Sequence, residues 1–151
     1  MNFKHLKFNS IFYFAFLLTL TISNSCSKDD EDEKEFSIVG TWNIDKFTMW
    51  WENNSTGELI EGPDSELNGG TITFNENNTG TWNDRLEGEN MNFAITWFIF
   101  GDKITIEVEE EFFSAEYSMS DKNLNSLKLS HQKLISGNTL EKREIYLRKL
   151  N

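Results

Sequence analysis

The sequence contains little cysteine and proline, and it has fewer basic than acidic residues. It has one cysteine, Cys26, and one proline, Pro63, in 151 residues. Because a disulfide within the chain needs two cysteines, burial of apolar surface must hold any fold together. Lysine and arginine number 14 against 25 aspartates and glutamates, which gives a formal net charge of −11. Nucleic acid is therefore not expected as a partner, since phosphate binding needs a basic surface.

Catalytic and metal-binding motifs are also missing. The sequence contains no G-x-S-x-G, H-E-x-x-H or phosphate-binding loop. His131 stands alone near a predicted strand end, where we expect it to be solvated. Residues 121–132 begin like a calcium-binding loop, but Ser126 and Gln132 occupy the places where that loop needs glycine and glutamate. We therefore predict no enzymatic activity, no cofactor and no bound metal.

The hydrophobic run IFYFAFLLTLTI at residues 11–22 follows Lys4 and Lys7 and precedes small or polar residues. This order is typical of a secretory signal peptide. A helix of this length covers about 18 Å, whereas the hydrocarbon core of a bilayer is about 30 Å thick. Residues 1–25 are therefore predicted to be a signal peptide rather than a membrane-spanning anchor.

Cys26 follows this leader and resembles the acceptor cysteine of bacterial lipoproteins, in which cleavage occurs just before a cysteine that carries acyl chains. Ser23 stands where that motif commonly has leucine, and Ser23 and Ser25 would also suit an ordinary signal peptidase, which would leave a free thiol. An unpaired thiol in a secreted protein needs a role, and two or more acyl chains anchor a protein stably. The resemblance implies lipid attachment at Cys26 and a membrane as partner.

The segment SKDDEDEKEFS at residues 27–37 carries six acids and two lysines. Such a segment buries too little apolar surface to fold, so residues 26–37 are predicted to be the lipidated cysteine and a disordered acidic linker. Lys28, Asp29 and Asp30 resemble the surface-export signal of Bacteroidetes lipoproteins. The resemblance implies an outer-membrane lipoprotein exposed at the cell surface. A periplasm-facing lipoprotein with an ordinary acidic linker is the alternative.

Alternation of apolar and polar residues dominates residues 38–151, as in Phe93, Ile95 and Trp97 on one face of a strand. Short turns separate these runs, which predicts an all-β, antiparallel up-and-down meander. Closure into a barrel would remove the exposed edges of so many strands, and a flat or sandwiched meander is the alternative. The predicted strands are 39–51, 57–61, 70–75, 79–83, 92–99, 103–110, 112–120, 125–132 and 139–149.

The triplet Gly40-Thr41-Trp42 resembles the G-x-W start of the first strand in lipocalins and the wider calycin superfamily. In that family the tryptophan closes the narrow end of the barrel, often beneath a basic side chain from the last strand. Arg143 lies on the same face as Ile145 and Leu147, so the resemblance assigns that role to Arg143. The T-D-x element of classical lipocalins is absent. The likeness therefore implies a lipocalin-like barrel of about eight or nine strands over residues 38–151.

An eight-stranded barrel either holds one small ligand or fills with side chains, and the sequence leaves both open. In the first case the protein binds a small hydrophobic molecule. In the second it is a structural or protein-interaction module of the cell envelope, docking through exposed rings such as Trp50, Trp51, Phe98 or Phe100. If a cavity exists, its predicted lining residues are Phe74, Trp82, Phe93, Ile95, Trp97, Ile106, Tyr117 and Leu129.

Lipid attachment can be tested by replacing the sulfur atom of Cys26 with oxygen. Replacement Cys26→Ser is expected to move the protein from the membrane fraction to the soluble fraction, because the acyl chains have no other attachment point. Intact mass of the membrane-extracted wild-type protein should show two or three acyl chains. An unmodified thiol in that material would contradict the prediction.

Overall fold

The computed structural model describes residues 35–85, 90–108 and 114–151. The predicted signal peptide, Cys26 and the tripeptide Lys28-Asp29-Asp30 lie outside the described residues. The described residues form nine strands, and none of them belongs to a helix that is long and apolar enough to cross a membrane. The strands are β1 (Gly40–Asn53), β2 (Leu59–Leu67), β3 (Gly70–Phe74), β4 (Thr79–Asp84), β5 (Met91–Phe100), β6 (Lys103–Val108), β7 (Ala115–Ser120), β8 (Ser126–Ser136) and β9 (Thr139–Lys149).

Every pair of neighbouring strands is antiparallel, and the sheet order is β2-β1-β3-β4-β5-β6-β7-β8-β9. An additional pairing of β1 with β9 closes the sheet. Eight strands, β1 and β3 to β9, therefore form a barrel, and β2 is an extra strand outside it. The predicted all-β fold and its closed antiparallel barrel are confirmed.

Strands β2 and β3 share one edge of the long strand β1. The first residues of β1 pair with β3, and the stretch from Lys46 to Glu52 pairs with β2. Asn68 and Gly69 separate β2 from β3, and Gly70, the first residue of β3, has φ +107°. A Cβ atom there would lie 1.9 Å from the carbonyl oxygen of Asn83, so only glycine fits. The predicted second strand, 57–61, was too short because β2 continues through Pro63, which an edge strand tolerates.

The alternation predicted from sequence puts one face of each barrel strand into a single hydrophobic core. On β6, for example, Ile104, Ile106 and Val108 are buried, while Lys103 and Glu107 are exposed. Full burial of each such aliphatic side chain contributes about 1.5–3 kcal/mol. The interior is therefore held by the same two-residue repeat that defines the strands.

Trp42 lies near the start of β1, at one end of the barrel, and is fully buried. Its indole Nε1 donates a 2.7 Å hydrogen bond to the carbonyl of Ile38. Nζ of Lys149 lies 5.2 Å from the centre of the indole and donates to the carbonyl of Ser37 at 3.0 Å. A Cβ atom at Gly40 would come within 3.0 Å of the Lys149 side chain. We call this the closed end of the barrel.

The prediction that Arg143 stacks on Trp42 is wrong. Arg143 pairs with Met49, far along β1 from Trp42, whereas Lys149 pairs directly with Trp42. The inward face of Arg143 was inferred correctly, since Ile145 and Leu147 beside it are buried. Alternation gives the face of a residue but not its position along the barrel, which is set by the β1–β9 register.

The contribution of the closed end can be measured by substitution. Trp42→Ala should lower the free energy of unfolding by about 3–5 kcal/mol, because it leaves a cavity in a packed site. Phe100→Ala is the matched control, since Phe100 is 84% exposed, and it should change stability by no more than about 0.5 kcal/mol. Urea unfolding monitored by circular dichroism would measure both. Equal losses in the two variants would contradict a closing role for Trp42.

Candidate functional site

The residues predicted to line a cavity lie in the packed core. Seven of the eight are buried, and Phe93 packs half-buried against them. The rings of Phe74 and Trp97 meet edge to face with centroids 5.6 Å apart. Ile106, Tyr117 and Leu129 have no exposed surface, so no water-sized space lies against them. This part of the barrel matches the packed-interior alternative, and contact of a ligand with these side chains stays a prediction.

A buried ion pair lies farther along the barrel interior, away from Trp42. Nη2 of Arg143 is 2.6 Å from Oε1 of Glu141, and the two side chains are only 7% and 11% exposed. Removing two charges from water costs several kcal/mol per ion, and apolar residues of similar size often stabilise a core as well or better. Stability alone therefore gives a weak reason for this pair, and a binding role becomes a candidate explanation.

The hydroxyl of Tyr117 belongs to the same group. Burial raises the pKa of Tyr117 to about 12, the positive charge of Arg143 opposes this rise, and the Glu141 carboxylate adds to it. The side chain is therefore a neutral hydroxyl over the physiological pH range. We refer to Tyr117, Glu141 and Arg143 as the Arg143 cluster.

His131 lies opposite Arg143 in the β8–β9 register. Its Nδ1 donates a 2.9 Å hydrogen bond to the backbone oxygen of Glu116, and its ring centroid is 5.5 Å from that of Tyr117. The paired residues of β7 and β8 end at Ser118 and Ser130, so His131 supplies the next contact between these strands. The ring is half-exposed and this hydrogen bond lies at an exposed position, so a solvated histidine stays a prediction, to which the structure adds a backbone acceptor where the two strands separate.

Apolar side chains of β1 border the Arg143 cluster. Phe47, Met49 and Trp51 are half-buried, and they pair with Ile145, Arg143 and Glu141 of β9. Directly paired residues of antiparallel strands project from the same face of the sheet. The end of the barrel opposite Trp42, here called the open end, therefore combines a cation, a hydroxyl and a carboxylate with two aromatic rings and a thioether.

A larger concavity lies on the outer face of the sheet. It has a volume of about 540 Å³ and is bordered by side chains such as Trp50, Ser130 and Lys142, and Arg143 and His131 also line it. Two of its charged side chains pair with each other: Nζ of Lys103 lies 2.5 Å from Oε1 of Glu116. We centre the candidate site on the Arg143 cluster rather than on the rest of this groove, because pairs such as Lys103 and Glu116 are exposed to solvent.

No metal site is formed by the part of the chain that the structure describes: no group of three or more His, Cys, Asp or Glu side chains could hold an ion there. The calcium-like segment is a hairpin turn. The side-chain oxygen of Asn123 accepts the backbone N–H groups of Asn125 and Ser126 at 2.9 and 2.8 Å. This local bonding is what makes asparagine favourable in turns.

Comparison with known proteins shows that the chain is similar to a protein of known structure. No protein-family model matches the chain, and no curated protein matches it. The crystal structure of a lipocalin-like protein from Bacteroides uniformis is similar, with 15% sequence identity and a TM-score of 0.46. The match covers 74% of this chain and 97% of that one.

The order and pairing of the strands define the architecture. Apart from β2, the strands run up and down in sequence order, and the last pairs with the first. Closed eight-stranded antiparallel barrels of this kind are the lipocalin architecture. The barrel is lipocalin-like. The fold by itself does not fix a function, because the chemistry of a barrel depends on the side chains placed in it.

The buried ion pair of the lipocalin-like barrel can be tested by a double-substitution cycle. Glu141→Leu and Arg143→Met should each destabilise the fold by about 3–5 kcal/mol, because each leaves one charge buried without its partner. The double variant should lose less than either single one. Urea unfolding would measure all three.

The matched control for this cycle is the exposed pair formed by Lys103 and Glu116, whose side chains are 54% and 55% exposed. Alanine at both positions should cost less than about 1 kcal/mol. The interpretation of Arg143 and Glu141 as a buried pair would fail if their single substitutions cost no more than this surface pair.

Proposed function

We propose that the chain is a lipid-anchored lipoprotein of the outer membrane, exposed at the cell surface, whose lipocalin-like barrel binds a small molecule at its open end. The ligand would have an apolar body and a polar, preferably anionic, end group. The observation that carries the proposal is the Arg143 cluster, which puts buried charge beside apolar rings in a barrel that packing alone would fill with aliphatic side chains.

The chemistry of the cluster fits a carboxylate. A guanidinium has five N–H donors, so Arg143 can keep its bond to Glu141 and still donate to a ligand. Hydrogen bonds between a guanidinium and a carboxylate are short and strong, and burial strengthens them further. The neutral hydroxyl of Tyr117 adds a second donor, and Phe47, Met49 and Trp51 offer apolar contact to the rest of the molecule.

The anchoring half of the proposal rests on the sequence. The short leader at residues 1–25, Cys26 behind it and the Lys28-Asp29-Asp30 tripeptide support an acylated N-terminus and export to the surface. A periplasm-facing orientation would use the same anchor and barrel. Protease accessibility of the barrel on intact cells would separate the two orientations.

A second candidate function is an interaction module with a solid barrel. It is favoured by the packing of the predicted cavity residues and by the exposure of Phe98 and Phe100. Trp50 and Trp51, also predicted as docking residues, are half-buried in the sheet. In this case the barrel would present a surface to an envelope protein and take up no small ligand.

Binding can be tested with a fluorescent long-chain carboxylate and the corresponding alcohol. The wild-type chain should bind the carboxylate saturably, with a change in tryptophan emission because Trp51 borders the site. The Glu141→Leu/Arg143→Met variant, which leaves no unpaired buried charge, should bind the carboxylate about tenfold more weakly, since hydrogen bonds to charged groups contribute about 1.5–3 kcal/mol. Its affinity for the alcohol should change much less.

Lys142→Met provides the control for lost positive charge, because Lys142 neighbours Arg143 in sequence but forms its ion pair with Glu52. It should leave binding of both compounds unchanged. Equal weakening by Lys142→Met would contradict a role for the Arg143 cluster. Failure of either compound to bind saturably would favour the interaction module.

A further inference from the structure

We propose that the closed end of the barrel contacts a zwitterionic lipid surface through the turn between β5 and β6; this inference builds on the proposed lipid anchor. Three consecutive large apolar residues precede this turn: Phe98, Ile99 and Phe100 are 50%, 41% and 84% exposed. Exposed apolar side chains clustered in this way mark an interaction site. We refer to residues 98–103 as the Phe100 tip.

The Phe100 tip lies at the closed end of the barrel. In an up-and-down barrel, alternate turns share one end, so the turns at 75–78, 101–102 and 121–125 lie where β1 begins and β9 ends. The carbonyl of Asp102 accepts the backbone N–H of Met119 at 2.7 Å, which joins the tip to the end of β7. Exposed Leu124 and Leu150 belong to the same end.

The chain also enters the barrel at this end. The ring of Phe36 packs against Trp42, with 6.3 Å between centroids. Residues 27–35 separate Phe36 from Cys26, and a fully extended stretch of this length spans about 30 Å. Acyl chains on Cys26 would therefore keep the Phe100 tip close to the bilayer. Such tethering raises the effective concentration of the tip at the membrane, so a weak contact is enough.

The charges around the Phe100 tip indicate which lipid surface fits. Lys103, the last residue of the tip, pairs with Glu116, and neighbouring Lys122 pairs with Asp102 of the tip; the two lysine side chains are 54% and 32% exposed. The tip is thus apolar and close to neutral, whereas the whole chain carries a net charge of −11. Repulsion disfavours anionic head groups, and a zwitterionic surface accepts both the rings and the paired charges.

This placement has a consequence for the proposed binding site. If the closed end faces the lipid, the open end and the Arg143 cluster point away from the membrane. A ligand would then enter from the aqueous side, and the membrane contact would fix the orientation of the barrel without blocking its mouth.

The test uses the lipidated full chain in phosphatidylcholine vesicles. With Cys26 acylated, Leu124→Cys supplies a single free thiol beside the Phe100 tip for an environment-sensitive fluorophore. The fluorophore should shift to the blue and be quenched by spin-labelled lipid. The change Phe98→Ser/Phe100→Ser should abolish both effects. Leu59→Ser/Ile60→Ser, which removes equally exposed residues from β2, should preserve both.

The outcomes separate failure of the tip from failure of the anchor. Intact mass and flotation with vesicles report whether Cys26 is acylated. If the protein is acylated and floats with the vesicles but its fluorophore stays in water, the contact of the Phe100 tip with lipid is overturned while the anchor stands. If Cys26 is not acylated, the Cys26→Ser full chain carrying the Leu124→Cys label is titrated with vesicles instead. Its partitioning should fall about tenfold for each ring removed, and an unchanged value overturns the inference.

A second copy of the chain is the competing occupant of the Phe100 tip. Contact between copies would shift the fluorophore without vesicles, and the shift would grow with protein concentration. That result would overturn the lipid-contact proposal. A response that depends on lipid and is independent of protein concentration supports it.

Discussion

The ladder between β1 and β9 is the constraint on which the rest of this structure depends. It runs from Trp42 paired with Lys149 to Asn53 paired with Thr139. Without it, the antiparallel meander would have two free edges and its apolar face would stay open to water. With it, the inward residues of eight strands meet in one core, with Trp42 at one end and the Arg143 cluster towards the other.

The register of that ladder gives two cations of the same strand different environments. Lys149 meets Trp42 and holds the entering chain through the carbonyl of Ser37. Arg143 lies deeper along β1 and pairs with Glu141 in a buried position. The same strand therefore helps to seal one end of the barrel and provides a polar group near the other. In our two proposals the first of these ends faces the membrane and the second binds the ligand.

Much of the fold was predictable because its signals are local. Alternation defined the strands, and turn residues such as the Gly101-Asp102 pair marked their ends. The strand β2 was underestimated, since its length depends on pairing with β1 beyond the barrel. The position of Arg143 and the contacts of His131 were missed for a related reason. Both depend on which residues of distant strands lie opposite each other, and alternation carries no information about that register.

The sequence by itself determined the class of the fold and the inward face of each strand, because a two-residue repeat of apolar side chains has one favourable arrangement. It also contains residues 1–25 and Cys26, on which the predicted signal peptide and anchor rest. Only the tertiary structure decided that the predicted cavity residues pack together, that Lys149 rather than Arg143 covers Trp42, and that Arg143 pairs with Glu141 in the interior. Closure of the barrel fixed these contacts, since it set the register between the first strand and the last and thereby the position of each side chain along the barrel.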